Sequence, residues 1–178
     1  MDAPRKRGVP FPEVMMASMA YQDVTTTLGL RLPRGLAADL VWWLLLAAGV
    51  SFALAVFPVS GLDALPSLPA GGAQWLAVLL WQPVLEELAF RGLLQGLLRE
   101  QPWGLRAWAG VSAANLGASA AFTAMHFLYH PPLWAAAVAV PSLVFGWLRD
   151  RHQSVWTPVI AHVAFNGGFF LGALLAAR

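Results

Sequence analysis

The sequence predicts an all-α membrane protein, a single bundle of about five transmembrane helices. Three observations carry that expectation. Of 178 residues, 58% are hydrophobic and only 11% are charged, against about 25% charged in an ordinary soluble domain. The apolar residues fall in runs long enough to cross roughly 30 Å of hydrocarbon. Between these runs the basic residues collect in alternate connections, as the positive-inside rule requires of a chain that crosses repeatedly.

Residues 1–38, with Arg5, Lys6, Arg7, Arg31 and Arg34, read as a cytoplasmic arm. The first apolar run begins only near Leu40, too late for a secretory signal peptide. The transmembrane domain follows over residues 39–178, with spans expected at 40–59, 73–98, 107–128 and 155–177 and a shorter one at 133–148. Turn-rich residues 61–72, Gln101-Pro102, Pro131-Pro132 and the charged run 149–153 separate them. With the amino terminus inside, Arg99, Arg106, Arg149 and Arg151 join the five basic residues of the arm on the cytoplasmic side, and the outer side carries only Arg178. The lipid bilayer is therefore the expected surrounding, in a multi-pass cell-membrane location. The Arg-rich, Ala-rich composition hints at a bacterial inner membrane. A net charge of only +2, dispersed in short clusters, argues against nucleic acid despite a pI near 9.7. The absence of cysteine excludes disulfides, thiolate nucleophiles and Cys-ligated zinc.

From Trp75 onward the ionisable residues within the expected spans are Glu86, Glu87, Arg91, His126 and His162. A charge at mid-membrane costs at least about 2.5–3.5 kcal/mol, so these groups are expected to converge on one another or on a polar cavity. A structural polar cluster that only glues helices together is the alternative. Glu87 and Arg91 are four apart, acid before base, and so form a favourable pair on one helix face. Glu86 lies about 100° from Glu87 and about 140° from Arg91, which frees it for chemistry and leaves Glu87 in support. Phe122 and His126 share a face of the next helix, as do His162 and Asn166 of the last. Phe122 is expected to pack beside His126 without a chemical role. His130 and His152 read as surface histidines in loops.

In order, Glu86-Glu87 with Arg91, then Phe122 with His126, then His162 with Asn166, resemble the motifs of the CPBP family. That family includes the CAAX prenyl endopeptidases and the bacteriocin-processing and self-immunity proteins. The likeness covers about residues 73–170, without the arm or first span. It implies an intramembrane endopeptidase of the glutamic, metal-independent type, needing no cofactor and acting on a membrane-associated protein or peptide. The small size resembles bacterial members that process carboxy-terminal sorting tails, of the JDVT-CTERM type. On that implication Glu86 and His126 hold and deprotonate a water, and His162 and Asn166 donate to the developing oxyanion.

Other readings use some of the same residues. Glu86, His126 and His162 are a possible zinc set with an open fourth position, although no His-Glu-x-x-His helix is present. Ser119 with His162 would make a serine protease, but this leaves both glutamates unexplained. Buried Glu and His also suit a proton-coupled carrier, and a non-catalytic immunity or partner-binding protein is possible on the same scaffold. Helix geometry raises one conflict: in upright helices of equal length His126 lies towards the outer side, whereas Glu86 and His162 lie towards the inner side. A tilted or later-starting third span would remove it.

Overall fold

The computed structural model describes residues 23–60 and 68–177. Most of the expected arm, with Arg5, Lys6 and Arg7, lies outside the described residues, as do residues 61–67 of the expected outer loop and Arg178. Helix α1 is Leu40–Ser60. Helix α2 runs over residues 72–99 and contains two π-helical stretches, Ala77–Trp81 and Leu88–Leu94. A two-stranded hairpin, β1 Ala107–Trp108 and β2 Val111–Ser112, precedes α3, Ala113–His126. A short α4, Pro132–Ala137, leads into α5, Ala139–His152, and α6 is Trp156–Ala176. Pro132–His152 and Trp156–Ala176 are each long and apolar enough to cross a membrane.

The helices alternate in direction. At one end, here the arm end, Asp39 before α1 accepts from Arg151 and His152 of α5, Ser112 before α3 donates to Asp150, and Trp156 of α6 donates to the Leu30 carbonyl. Asp39 also caps α1, accepting from the Val41 and Trp42 N–H groups, two of the orphan donors of a helix start. Side-chain polarity is inverted relative to a soluble domain. Glu87, Arg91, Gln95 and Asn115 are fully buried, while Leu40, Leu44, Phe52, Leu85, Leu133 and Val140 are exposed. Such a surface suits lipid, because water would not tolerate an apolar face of that extent. The aromatic and aliphatic core is small, built from Trp42, Phe145, Leu148 and Ala161. Close packing of α1 on α6 depends on Gly172, where a Cβ would stand 2.3 Å from the Leu54 carbonyl, the small-residue contact by which membrane helices approach.

Three expectations change. The third helix starts at Ala113, six residues later than expected, because Ala109 and Gly110 adopt positive φ and turn residues 107–112 into a hairpin. The fold is thus helical with one small hairpin. Residues 149–152, expected in a loop, are the last turn of α5, and Gln153 ends the helix in a left-handed conformation. His152 is correspondingly no surface histidine: Nε2 lies 3.0 Å from Asp39 Oδ2, and the ring packs edge-on against Trp42. The break between α4 and α5 falls at Val138, just where Pro141 leaves the Ala137 carbonyl without its helical N–H partner.

Candidate active site

Both π stretches of α2 act on the site. In the first, the Gln82 N–H bonds to the Ala77 carbonyl five residues back. In that register the Val78 carbonyl faces residue 83, a proline with no N–H. Asn166 supplies the missing donor, Nδ2 lying 3.0 Å from the Val78 oxygen. The second stretch, Leu88–Leu94, carries Arg91.

Glu87, Arg91, Gln95 and Arg99 recur every four residues along α2 and face Ser142, Gly146 and Asp150 of α5. Arg91 Nη1 donates to Glu87 Oε1 at 3.2 Å, and Nη2 donates to the Ser142 carbonyl and hydroxyl at 3.0 and 2.7 Å. Gln95 Nε2 donates to the Gly146 carbonyl at 2.9 Å and to Asp150 Oδ1 at 3.0 Å, and Arg99 pairs with Asp150. The Arg91 guanidinium also lies over the Phe122 ring, 4.6 Å from its centroid. A buried cation is tolerated when it is paired and hydrogen-bonded in this way.

His162 of α6 joins this ladder. Its Nδ1 is 2.8 Å from Glu87 Oε1, and its Nε2 faces Glu86 Oε2 at 3.8 Å. Since a carboxylate only accepts when ionised, Nδ1 carries the proton donated to Glu87. The Glu86 distance is too long for a direct hydrogen bond. Glu86 retains 28% side-chain exposure, whereas Glu87 has none. One face of the His162 ring stacks on Phe145, 4.9 Å between centroids.

His126 ends α3. Its Nδ1 lies 2.9 Å from the Phe122 carbonyl, so Nδ1 bears hydrogen and Nε2 is the basic nitrogen. Phe122 is the hub of the cluster: its ring meets His126 at 4.4 Å, Phe90 at 5.1 Å and His162 at 6.2 Å. This removes the conflict in depth. A helix starting six residues later carries His126 about 9 Å less far at 1.5 Å per residue, and Phe122, one turn before it, meets Phe90 and His162.

Sequence reasoning missed several members. His130 is exposed, but its ring stacks on His126 at 5.5 Å, and burial together with the nearby His126 holds its imidazole below the ordinary histidine pKa. Arg149, assigned to a loop, is 1% exposed and donates from Nε to the Arg91 carbonyl at 3.3 Å. Gln95 and Ser142 are uncharged, so an inventory of ionisable groups passed over them. The i, i+4 repeat continuing from Glu87 and Arg91 to Gln95 and Arg99 was the available signal. Ser119 is no poised nucleophile, because its hydroxyl donates to Asn115 Oδ1 at 2.9 Å in a buried contact. Among the described residues no three His, Asp or Glu side chains are grouped so as to hold a metal ion.

A helical bundle with apolar surface, enclosing a centre of two glutamates, an arginine and two histidines, is the build of a membrane protein with a buried polar site. The sequence matches the Rce1-like family, described as Type II CAAX prenyl endopeptidase Rce1-like, over residues 69–168. The chain belongs to that family. No curated protein and no solved structure matches it.

Proposed function

We propose that the chain is a multi-pass glutamic-type intramembrane endopeptidase in which Glu86 activates the attacking water. The observation that carries this reading is the division between the two acids. Glu87 is fully buried and engaged by Arg91 and His162, whereas Glu86 is partly open and, among the described residues, makes no direct hydrogen bond, His162 approaching it only to 3.8 Å. The Glu86 carboxylate is thereby left with acceptor capacity for a water.

Glu86 and the basic Nε2 of His126 hold that water, and Glu86 takes its proton as the oxygen attacks the scissile carbonyl. On this proposal the His162 ring carries a proton on each nitrogen, Nδ1–H towards Glu87 and Nε2–H towards the tetrahedral oxyanion, which also receives the second amide hydrogen of Asn166, the first being given to Val78. Glu86 then returns its proton to the departing amine. Glu87 acts through His162, whose ring it orients. The chemistry needs no metal, and zinc on Glu86, His126 and His162 is the alternative.

The substrate fitting this account is a carboxy-terminal tail of a membrane-associated protein, either of the CAAX kind that the family's description names or a sorting tail of the JDVT-CTERM type. The amino terminus is cytoplasmic and five helices cross the cell membrane on this proposal. A reporter fused after Gly104 that is active outside would contradict that orientation. The activity itself is tested with purified protein in liposomes, offered a prenylated CAAX peptide and an apolar-tailed sorting peptide in ¹⁸O-labelled water. Cleavage with one label in the new carboxylate is expected; failure to cleave either peptide although both bind would overturn the proposal.

A further inference from the structure

The described part of the arm is clasped by the bundle almost entirely through its own main chain. Arg149 Nη2 donates to the Thr27 carbonyl at 2.8 Å and to that of Thr26 at 3.4 Å. The Val155 N–H reaches the Gly29 carbonyl at 2.8 Å, Trp156 Nε1 the Leu30 carbonyl at 2.8 Å, and Ser154 Oγ the Arg31 carbonyl at 2.7 Å. Five carbonyls within residues 26–31 are thus met by donors of α5, α6 and the turn between them. The approach is close. At Gly29, where φ is +66°, a Cβ would stand 2.5 Å from the Arg149 guanidinium carbon, and at Gly96 of α2 a Cβ would stand 2.2 Å from the Thr27 oxygen. The same Arg149 that holds the arm donates to the Arg91 carbonyl, so one guanidinium joins residues 26–27 to the turn of α2 that carries the buried ion pair.

At the opposite end the site is open. Glu86 is partly exposed, and beyond it lie Tyr129, 80% exposed, and His130, stacked on His126. Towards the arm, Glu87, Arg91, Gln95 and Arg149 are sealed.

We propose that residues 26–31 are a built-in stopper over the arm end of the catalytic cluster, and that the substrate peptide reaches Glu86 only from the end that carries Tyr129 and His130. The proposal rests on the protease reading for the identity of the substrate. Arg149 is then a positioning residue, holding both the stopper and the Arg91 turn. The arm, outside the matched family region, is a working part of the catalytic unit.

The test uses the absence of native cysteine. Tyr129→Cys and Leu32→Cys each introduce a single thiol at an exposed position, Leu32 being 78% exposed. Each full-length variant is labelled with a bulky maleimide in nanodiscs and assayed with the prenylated CAAX peptide. Label at 129 should lower cleavage about tenfold or more, the effect of losing about 1.4 kcal/mol of binding, and label at 32 should change it less than about twofold. In the Glu86→Gln background, bound peptide should slow labelling at 129 and not at 32, a readout independent of turnover. Protection at 129 without cleavage by any unlabelled variant would support the route and sink the protease reading. Equal effects at both positions, or block and protection at 32 alone, would overturn the proposal. Loosening the stopper with Ser154→Ala and Trp156→Phe together should raise deuterium uptake over residues 91–99; unchanged uptake would mean that the arm does not cover them.

Discussion

Glu87 Oε1 lies 2.8 Å from Nδ1 of His162, and the same oxygen receives Arg91 Nη1 at 3.2 Å. One carboxylate oxygen therefore ties two helices and two of the three family motifs together, while the other, Oε2, is buried without a hydrogen-bond partner. The arrangement makes Glu87 a fixed point of the fold, and of the two acids only Glu86 is partly exposed.

Removing either partner of the buried pair should destabilise the protein. Glu87→Gln and Arg91→Gln are each expected to cost about 3–5 kcal/mol, because each leaves an uncompensated buried charge. Together they should cost less than the sum by about 0.5 kcal/mol or more. Thermal unfolding in detergent of the two single variants and the double reads this directly, and strict additivity would deny the coupling.

Asp39 should give stability that depends on pH. Hydrogen bonds from Arg151, His152 and the start of α1 hold its carboxyl well below the usual carboxylate range, against a smaller opposing effect of burial. A carboxyl whose folded pKa is depressed contributes stability above its unfolded value of about 3.9 and loses it as pH falls through the folded value. The melting temperature of Asp39→Asn should therefore lie below that of the wild type at pH 7, and the difference should shrink steadily below about pH 4. A difference that is constant with pH would mean that the carboxylate charge has no part in it.

Much of this arrangement is legible in the sequence, and the misses have physical causes. The pairing of Glu87 with Arg91 follows from i, i+4 spacing, and the convergence of Glu86, Glu87, Arg91 and His162 follows from the cost of isolated charge in lipid. The role of Glu87 towards His162 is not local: it depends on how α6 packs beside α2, which no spacing within one helix contains. The start of α3 is hidden in the sequence because Ala107, Trp108 and Val111 are apolar, so the hairpin reads as part of an apolar span. Arg149 reads as a loop cation because charge in a membrane protein usually marks a boundary. Here its charge is buried against carbonyls of residues 26, 27 and 91, and those partners lie more than fifty residues away along the chain.

Chelation should leave activity intact. On the proposed mechanism the base is Glu86 and the oxyanion donors are His162 and Asn166, so peptide cleavage should be equal before and after dialysis against a zinc chelator. Stoichiometric zinc in the purified protein, with activity lost on its removal and restored on its return, would transfer Glu86, His126 and His162 to the role of ligands.

The division of labour between the two adjacent acids is tested most directly by the rate of peptide cleavage per folded molecule in Glu86→Gln and Glu87→Gln, with the folded fraction measured in the same samples. The amide at 86 cannot take the water's proton, so that variant should be folded and membrane-inserted yet slower by about 10²–10⁴, the range for loss of a general base. Glu87→Gln should chiefly reduce the amount of folded protein. Normal cleavage by Glu86→Gln, with a folded but inactive Glu87→Gln, would contradict the account and reverse the two roles.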